Sequence, residues 1–349
     1  MQEKRVEPET GIDSRSSSRY TITGDLKLET VVIGGVSYMK KQKLGTGGSG
    51  SVFEVIRMDN GTAYALKEAS LRHNGSIYRG EVERLQKLKN CPHIIDLIAH
   101  DLIANDTILR MVLELGETDL EGEIKKYKGK FSDLTTKVYA LEIAKGIKEM
   151  HDNSIVHLDI KLANVLIVHG VLKIVDLGLS ATLRENEDFV IRDFMFGSNR
   201  PPEQIVPRKD GTYKLTKKVD VWGFGVVVYQ MKYGRKPFSN FCKTTMMAVL
   251  DPNVRLQHDI NAEPALTELL EMCTQREVEK RASIDDLLNH RYLKEATQLS
   301  LEPFATGTMT TTGTGPGSID TSPNKQNNQK DRKANVTSTQ DSPPEKKVA

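Results

Sequence analysis

Four polar residues within residues 155–180 have the types and the spacing that phosphoryl transfer requires. Asp159 is followed by Lys161 and Asn164, and a second carboxylate, Asp176, comes twelve positions after the asparagine. A carboxylate can orient the attacking hydroxyl, a lysine can meet the γ-phosphate, and an amide together with a second carboxylate can hold Mg²⁺. The segment therefore predicts a site for magnesium-dependent phosphoryl transfer.

The residues around these polar positions predict a β-hairpin. Its strands are 165–168 and 171–175, and His169-Gly170 is a turn sequence. A plain hairpin with charged loop residues is the alternative interpretation. A plain hairpin does not explain why Asp, Lys, Asn and Asp all occur at its open end. The other motifs of the chain have to distinguish a plain hairpin from a site of phosphoryl transfer.

A glycine-rich segment lies much earlier in the chain. After Leu44, the residues Gly45, Gly47 and Gly50 fit the pattern G-x-G-x-x-G, and Val52 follows. Glycines let the backbone approach phosphates closely, and its N–H groups can donate to phosphate oxygens. Dinucleotide-binding folds carry the same pattern before a helix, whereas here the sequence predicts a strand. A Walker A loop is excluded because no Gly-Lys-Ser/Thr follows.

A lysine at the end of the next predicted strand is a candidate contact for the α- and β-phosphates of a nucleotide. Lys67 ends the strand T-A-Y-A-L-K-E, one hairpin after the glycines. Residues 77–88 have helical spacing of apolar side chains, and Glu81 lies beside that stripe. We expect Glu81 to face inward and pair with Lys67, and Glu83, the alternative, to face water.

Three short strands are predicted between residues 94 and 115, and helices follow. The last strand ends at Glu114 and Leu115, where free backbone groups could meet an adenine edge. Helices are predicted at 134–152 and in the apolar segment that contains Asp220. A buried acid there is expected to bind backbone N–H groups of a neighbouring loop rather than to take part in chemistry.

The composition is that of a soluble globular protein with polar ends. Of 349 residues, 38% are hydrophobic and 28% are charged, and the net charge is +2. This near balance gives no reason to expect nucleic acid or an anionic membrane as a partner. No apolar run approaches the ~20 residues that cross a bilayer, and no signal peptide is evident. Cys91, Cys242 and Cys273 show no paired spacing, so we expect free thiols in an intracellular protein.

Both ends of the chain lack hydrophobic periodicity. We predict a disordered arm over residues 1–28, which contain the run S-R-S-S-S-R. We also predict a disordered tail over residues 297–349, which are rich in Thr, Ser, Gly and Pro.

Taken in order, these motifs resemble the catalytic domain of eukaryotic protein kinases, from about Met39 to Lys294. Four segments are similar to the monopolar-spindle (TTK) family of dual-specificity kinases: Y-R-G-E-V-E-R-L-Q-K-L, M-V-L-E-L-G-E-T-D-L, the segment that begins I-V-H-L-D-I-K-L-A-N, and P-P-E-Q-I. That family acts in the spindle assembly checkpoint at kinetochores. The resemblance covers the catalytic domain and not the family's long N-terminal targeting region.

The resemblance implies an α+β, two-lobed protein kinase fold that uses ATP and Mg²⁺. A small β-rich N-lobe with one key helix would span residues 29–116, and a larger, mainly helical C-lobe would span 117–296. The implied catalytic residues are Asp159, Lys161, Lys67 and Glu81, with Asp159 accepting the substrate proton. The implied metal ligands are Asn164 and Asp176. The implied ATP contacts are Leu44, Gly45, Gly47, Gly50, Val52, Ala65, Lys67, Glu114, Leu115 and Leu166. A buried structural pair is implied between Glu203 and Arg281, and a scaffold role for His157.

The implied function is transfer of the γ-phosphate of ATP to Ser or Thr hydroxyls of protein substrates, with Tyr as a further acceptor, in mitotic spindle checkpoint signalling. The implied location is the nucleus or the cytoplasm, including kinetochores, and self-association for autophosphorylation would be natural. Two alternatives stay open: a pseudokinase, meaning a catalytically weak ATP-binding scaffold, and a small-molecule phosphotransferase. The complete set of catalytic and metal-binding residue types favours an active kinase.

Three positions depart from the kinase pattern. Leu158 replaces the Arg that precedes the catalytic Asp in many kinases, so a phosphate on the activation segment (residues 176–203) would lose its usual docking partner. Leu177 replaces the Phe of the D-F-G motif, a mild change because a leucine can still pack. The segment 197–203 is two residues shorter than usual. This puts peptide recognition in doubt and is the best argument for the pseudokinase.

Overall fold

The chain has a β-rich N-terminal part and a mainly helical C-terminal part, which we call the N-lobe and the C-lobe. The computed structural model describes residues 18–23, 26–47, 50–104, 107–194, 197–238 and 245–301. The predicted α+β, two-lobed architecture is therefore present. In the described part of the chain, no helix is both long and apolar enough to cross a membrane.

The N-lobe is an antiparallel sheet with a helix packed against it. Helix α1 (Leu71–Lys87) follows the fifth strand. Side chains on one face of the sheet, such as Val55, Leu66 and Val112, are fully buried, so the removal of apolar area from water holds the strands together. The strands are β1 (Ser18–Thr23), β2 (Leu26–Ile33), β3 (Val36–Gly47), β4 (Gly50–Arg57), β5 (Ala63–Ser70), β6 (Leu97–Ile103) and β7 (Ile108–Glu114), in the order β1-β2-β3-β4-β5-β7-β6.

The prediction that residues 1–28 form a disordered arm is wrong for residues 18–23 and 26–28. Residues 18–23 and 26–28 form β1 and the start of β2, which pair antiparallel. Tyr20 and Ile22 alternate with threonines, and this strand pattern was concealed by the Ser/Arg-rich run beside it. Residues 1–17 lie outside the described part of the chain.

The C-lobe is built on two long, buried helices, α3 (Asp133–Asp152) and α4 (Lys218–Tyr233). The Ser132 hydroxyl accepts from the Thr135 N–H at the start of α3, and α4 ends at Gly234, which has a left-handed φ of +67°. The other helices are α2 (Leu120–Lys126), α5 (Thr245–Leu250), α6 (Pro264–Cys273), α7 (Ile284–Asn289) and α8 (Arg291–Leu301). The short strands are β8 (Thr118–Asp119), β9 (Ile155–Val156), β10 (Val165–Val168), β11 (Val171–Ile174), β12 (Ala181–Thr182), β13 (Phe189–Arg192) and β14 (Tyr213–Thr216).

The predicted hairpin is present as β10 and β11, paired from Val165↔Ile174 to Val168↔Val171. The predicted start of the disordered tail at residue 297 is wrong, because α8 continues to Leu301. Leu293 and Ala296 are fully buried, and their packing carries the helix beyond the last recognised motif. Residues 302–349 lie outside the described part of the chain, as does Cys242.

The described residues between 94 and 115 form two strands, β6 and β7, where three were predicted. The apolar pair Ile94-Ile95 is buried but bonds to β11 instead of forming a strand in the N-lobe sheet. The Ile95 N–H donates to the Ile174 carbonyl at 3.1 Å, and the Ile174 N–H donates to the His93 carbonyl at 2.8 Å. A tertiary contact thus decides the conformation of a run whose hydrophobicity alone suggested a strand.

Candidate active site

A buried ion pair joins the N-lobe sheet to α1. Lys67, on β5, donates to both carboxylate oxygens of Glu81, on α1, at 2.8 and 3.0 Å. The two side chains are only 6% and 2% exposed. Glu83 is exposed on the same helix, so α1 presents Glu81 to the lysine, which is the arrangement predicted from the apolar stripe.

The same ammonium group contacts a carboxylate of the C-lobe. Lys67 Nζ lies 3.2 Å from Asp176 Oδ1. Burial alone would lower the pKa of Lys67, but the charges of Glu81 and Asp176 outweigh it and raise that pKa. Burial would likewise raise the pKa of Asp176, but Lys67 holds it below its usual range. Lysine and aspartate are therefore both charged at neutral pH.

Asp159, Lys161 and Asn164 form one hydrogen-bonded cluster in the C-lobe. Lys161 Nζ donates to Asp159 Oδ2 at 2.6 Å, and Asn164 Nδ2 donates to the Asp159 carbonyl at 3.0 Å and to Oδ2 at 3.3 Å. The other carboxylate oxygen, Asp159 Oδ1, is buried and has no hydrogen-bond partner within the described residues. A buried acceptor without a partner costs free energy, and an incoming hydroxyl would satisfy it.

Asp220, at the start of α4, holds the loop that carries Asp159. Its carboxylate accepts from the backbone N–H groups of His157 and Leu158, both at 2.8 Å, and from His151 Nε2 at 2.9 Å. Asp220 is only 1% exposed. The prediction that this acid binds backbone donors of a neighbouring loop is confirmed.

The backbone on both sides of the site is strained. Leu158 and Asp176 have φ angles of +69° and +62°, a left-handed conformation that costs an L-residue about 1–2 kcal/mol. Such residues persist only where surrounding contacts hold them. For Leu158 that contact is its N–H bond to Asp220. Asp176 is preceded by Val175, whose N–H donates to the Asn164 carbonyl at 3.0 Å.

His157 connects the loop of Asp159 to the strand that leads to Asp176. Its Nε2 donates to the Val175 carbonyl at 3.0 Å, and its Nδ1 accepts from the Asp159 N–H at 3.2 Å. This pattern uses both ring nitrogens, one as a donor and one as an acceptor. His157 thus positions two functional segments relative to each other, in line with its predicted scaffold role.

Among the described residues of the glycine-rich hairpin of β3 and β4, Gly50 is at a position that only glycine can occupy. Gly50 has a φ of +121°, and a Cβ there would lie 2.2 Å from the Glu68 carbonyl oxygen. Leu44, Gly45 and Gly47 are exposed on β3. The predicted phosphate-contacting backbone therefore lies on a β-hairpin and not before a helix.

The predicted apolar contacts of the adenine lie on β4 and β5 of the N-lobe sheet and on β10 of the C-lobe. Val52 is paired with Lys67 across β4 and β5, and Ala65 is paired with Leu113 across β5 and β7. Leu166 lies on β10 of the C-lobe, where a Cβ at Gly116 would come within 2.9 Å of it. Val52 and Ala65 thus lie on the N-lobe sheet, and Leu166 lies on the C-lobe hairpin beside Gly116, in the segment that joins the lobes.

The connection between the lobes at Glu114 is only partly as predicted. The Glu114 N–H donates to the Asp96 carbonyl at 3.2 Å, and its carboxylate binds Lys173 Nζ at 2.7 and 2.9 Å. The N–H of Glu114 is thus taken by a protein acceptor. Leu115 and Gly116 carry the next N–H groups along the chain, and Gly116 is absent from the predicted set of ATP contacts.

Asn164 and Asp176 are the residues predicted to hold Mg²⁺. The Asn164 amide nitrogen is engaged by Asp159, which leaves the amide oxygen for a cation. Mg²⁺ binds few protein ligands and takes the rest from substrate phosphates and water. The described residues contain no group of three or more His, Cys, Asp or Glu side chains that could hold a metal ion.

The buried pair implied between Glu203 and Arg281 is present. Arg281 Nη1 and Nη2 donate to the two Glu203 carboxylate oxygens at 2.5 and 3.0 Å.

The leucines at the two positions that depart from the kinase pattern are accommodated by apolar packing. Leu177 is fully buried, as expected, and Leu158 is only 5% exposed.

The shortened segment 197–203 contacts the loop of Asp159. Asn199 Nδ2 donates to the Ile160 carbonyl at 3.1 Å, and Gln204, next after the segment, donates from Nε2 to the Leu158 carbonyl at 3.3 Å. A Cβ at Gly197 would lie 3.0 Å from Asp159 Oδ1. The segment therefore closes one side of the site despite its length.

Comparisons with known proteins agree with this geometry. A family model described as the protein kinase domain matches residues 38–293. The serine/threonine-protein kinase MPS1 of Saccharomyces cerevisiae is 30% identical over 288 residues, which cover 76% of this chain and 37% of that protein. The serine/threonine-protein kinase mph1 of Schizosaccharomyces pombe is 30% identical over a region that covers 76% of this chain and 44% of that protein. The dual specificity protein kinase Ttk of Danio rerio is 29% identical over a region that covers 86% of this chain and 31% of that protein. The chain spans less than half the length of these relatives.

Proposed function

The chain belongs to the protein kinase family, and on that premise we propose that it is an active kinase. It would transfer the γ-phosphate of ATP to Ser or Thr hydroxyls of proteins, with Tyr as a further acceptor. The observation that carries this proposal is the contact of Lys67 with both Glu81 and Asp176 across the two lobes. Positioning and electrostatic stabilisation supply most of the catalysis in phosphoryl transfer, and this contact provides fixed charge where phosphates would bind.

Each charged residue has a role that follows from its contacts. Lys67, held by two carboxylates, would bind the α- and β-phosphates. Asp159 would accept a hydrogen bond from the substrate hydroxyl at its free Oδ1. It would take the proton as the new O–P bond forms and the bond between the γ-phosphorus and the β,γ-bridging oxygen breaks, which releases ADP. Lys161, 2.6 Å from the other oxygen of Asp159, would balance the negative charge of the transferred phosphoryl group.

The cofactors of the proposed reaction are ATP and Mg²⁺. Bound Mg²⁺ would neutralise phosphate charge, and Asn164 and Asp176 would hold it. The glycine-rich hairpin would cover the phosphates. The adenine would lie between Val52 and Ala65 of the N-lobe and Leu166 of the C-lobe, near the backbone of Leu115.

The alternative, a pseudokinase that binds ATP as a scaffold, is favoured by no contact within the described residues. Its best argument is the short segment 197–203, yet this segment still bonds to the loop of Asp159. The proposed lobes are residues 29–116 and 117–296, extended by β1 and by the end of α8.

The proposed biological setting is mitotic spindle checkpoint signalling. The support is similarity to MPS1 and Ttk kinases over about three quarters or more of the chain. We propose that the substrates are proteins, that the protein acts in the nucleus or cytoplasm and at kinetochores, and that it self-associates for autophosphorylation.

The test of the activity is transfer of labelled phosphate from ATP, with Mg²⁺, to a generic basic protein and to the chain itself. Asp159→Ala should lower kcat by about 10²–10⁴, and Asp176→Ala should abolish transfer. Nucleotide binding is measured in parallel with a fluorescent ATP analogue. A wild-type chain that binds Mg²⁺–ATP but transfers no phosphate would overturn the proposal in favour of the scaffold.

A further inference from the structure

A cavity of about 250 Å³ lies between the shortened segment 197–203, α4 and the start of α5. Residues 197–200 line this cavity, and they also line the small cleft that contains Asp159. A Cβ at Gly197 would lie 3.0 Å from Asp159 Oδ1, the oxygen proposed to bind the substrate hydroxyl. The cavity therefore adjoins the position of the phosphoacceptor.

Most of the cavity wall is apolar. Its apolar side chains come from the residues after the shortened segment, from α4, from the loop that follows α4 and from α5: Ile205, Trp222, Val226, Phe238, Met246 and Val249. The rings of Trp222 and Phe238 stack with their centroids 6.0 Å apart, and both side chains are almost fully buried. Packing thus fixes this part of the wall, and an alkyl chain placed against it would be removed from water.

The charged groups of the cavity wall are cations. Arg200 and Lys236 line the cavity, and no carboxylate occurs among the described residues that line it. The neighbouring carboxylate of Asp159 is already bound by Lys161 Nζ at 2.6 Å. An apolar wall that carries cations fits a side chain with an alkyl stem and an anionic end.

Arg200 is poorly satisfied by the protein itself. Its Nη2 donates to the Met246 sulfur at 3.3 Å, and a thioether is a weak acceptor. Within the described residues, Arg200 has no other hydrogen bond and no ion pair. Its guanidinium group can therefore donate two parallel hydrogen bonds to a carboxylate.

The backbone on both sides of Arg200 is held in place. Asn199 Nδ2 donates to the Ile160 carbonyl at 3.1 Å. Pro201 and Pro202 come directly after Arg200, and their rings fix the backbone φ. Because the backbone is already fixed, Arg200 loses less conformational freedom when it binds a ligand.

We propose that this cavity receives the side chain of a residue next to the phosphoacceptor, and that Arg200 makes it select glutamate or aspartate there. The inference rests on the proposed kinase activity and names its substrate class: proteins with an acidic residue beside the phosphorylated serine or threonine. Neighbouring Cα atoms are about 3.8 Å apart, so a hydroxyl at Asp159 Oδ1 brings the adjacent side chain to residues 197–200. The alkyl stem would contact the apolar wall, and the carboxylate would bind Arg200.

The test compares peptides that differ only beside the serine. The full-length chain is assayed with labelled Mg²⁺–ATP and short alanine-glycine peptides with one central serine, which carry Glu, Gln or Lys on one side of it or the other. At one of these positions we expect the Glu peptide to exceed the Gln peptide in kcat/KM by about five- to tenfold, mainly through a lower KM, as for a charge-assisted hydrogen bond at a partly exposed site. A Glu at the far end of the peptide should increase kcat/KM less than about twofold, because salt screens distant charges.

Two substitutions of Arg200 separate recognition from folding. Arg200→Gln should remove the preference for Glu over Gln, and Arg200→Glu should reverse it in favour of the Lys peptide. A variant that misfolds cannot reverse a preference. The matched control is Arg208→Gln, which removes an exposed arginine that lies 3.4 Å from Asp210 and should retain the preference.

Peptide binding gives the same ratio independently of catalysis. It is measured by fluorescence anisotropy, with alanine in place of the serine and with Mg²⁺ and a non-hydrolysable ATP analogue present. A chain that transfers no phosphate but binds the Glu peptide more tightly through Arg200 would overturn the proposed activity and support this site. The site is overturned if Glu and Gln peptides bind equally, if the preference survives Arg200→Gln, if Arg208→Gln loses it as well, or if a Glu at the far end gives the same gain.

Discussion

Replacing Asp220 by alanine should destabilise the protein strongly while leaving the affinity for ATP nearly unchanged. The substitution removes the acceptor of two backbone N–H groups, of His157 and Leu158, and of the His151 imidazole. Each buried donor left unsatisfied costs about 1–3 kcal/mol. Local relaxation and water entering the vacated space recover part of this cost. We therefore expect the free energy of unfolding to fall by about 3–5 kcal/mol, as for other broken buried charge interactions.

For a domain of this size, each kcal/mol lowers the melting temperature by about 2–4 °C, so the expected decrease is about 6–20 °C. The assay is thermal unfolding followed by circular dichroism, with ATP affinity measured by fluorescence titration below the melting temperature. Because Lys67 and Glu81 do not contact Asp220, the affinity should change less than about threefold, or about 0.7 kcal/mol.

The matched control for Asp220 is Asp285→Ala. Asp285 lies in the first turn of α7 with a side chain that is 63% exposed, 3.4 Å from Lys148. An exposed ion pair contributes at most about 1 kcal/mol, so this variant should melt close to wild type. The structural role of Asp220 is refuted if its variant melts like the control while ATP binding is lost.

Three further predictions concern other charged groups. Glu81→Gln should lower kcat/KM for ATP at least tenfold, because one charge-assisted hydrogen bond to the catalytic lysine contributes about 1.5–3 kcal/mol. Glu83→Gln is the control. An equal loss of kcat/KM in both variants would contradict the assignment of Glu81 as the partner of Lys67. Arg281→Met leaves the Glu203 carboxylate without its partner and should lower the free energy of unfolding by about 3–5 kcal/mol in urea titrations; a change below about 1 kcal/mol would contradict it. The pKa of Asp176 is depressed in the folded chain. Its interaction with Lys67 therefore stabilises the folded state fully above the ordinary carboxyl pKa near 4, and this stabilisation is lost as the pH falls through the pKa that Asp176 has in the folded chain. Asp176→Asn should therefore flatten the loss of stability between about pH 5 and pH 3, and an unchanged slope would contradict the direction of the shift.

The residues proposed to carry out phosphoryl transfer in the C-lobe could be predicted because they lie close together in the sequence. Asp159, Lys161 and Asn164 lie within one short loop, and the hairpin that follows carries its own strand and turn signals. The Glu81 contact was predictable because helical periodicity separates it from Glu83. The strand at 18–23 and the end of α8 were missed because the composition of neighbouring residues masked short periodic runs.

The sequence by itself determined which residue types are available for phosphoryl transfer and which family the chain resembles. The tertiary structure decided which of these residues meet. Lys67 and Asp176 are 109 positions apart, and His157 and Asp220 are 63 positions apart. The spacing of apolar residues in the sequence indicates only the helix or strand to which a residue belongs. The charges around Lys67 come from Glu81 and Asp176, which folding brings together.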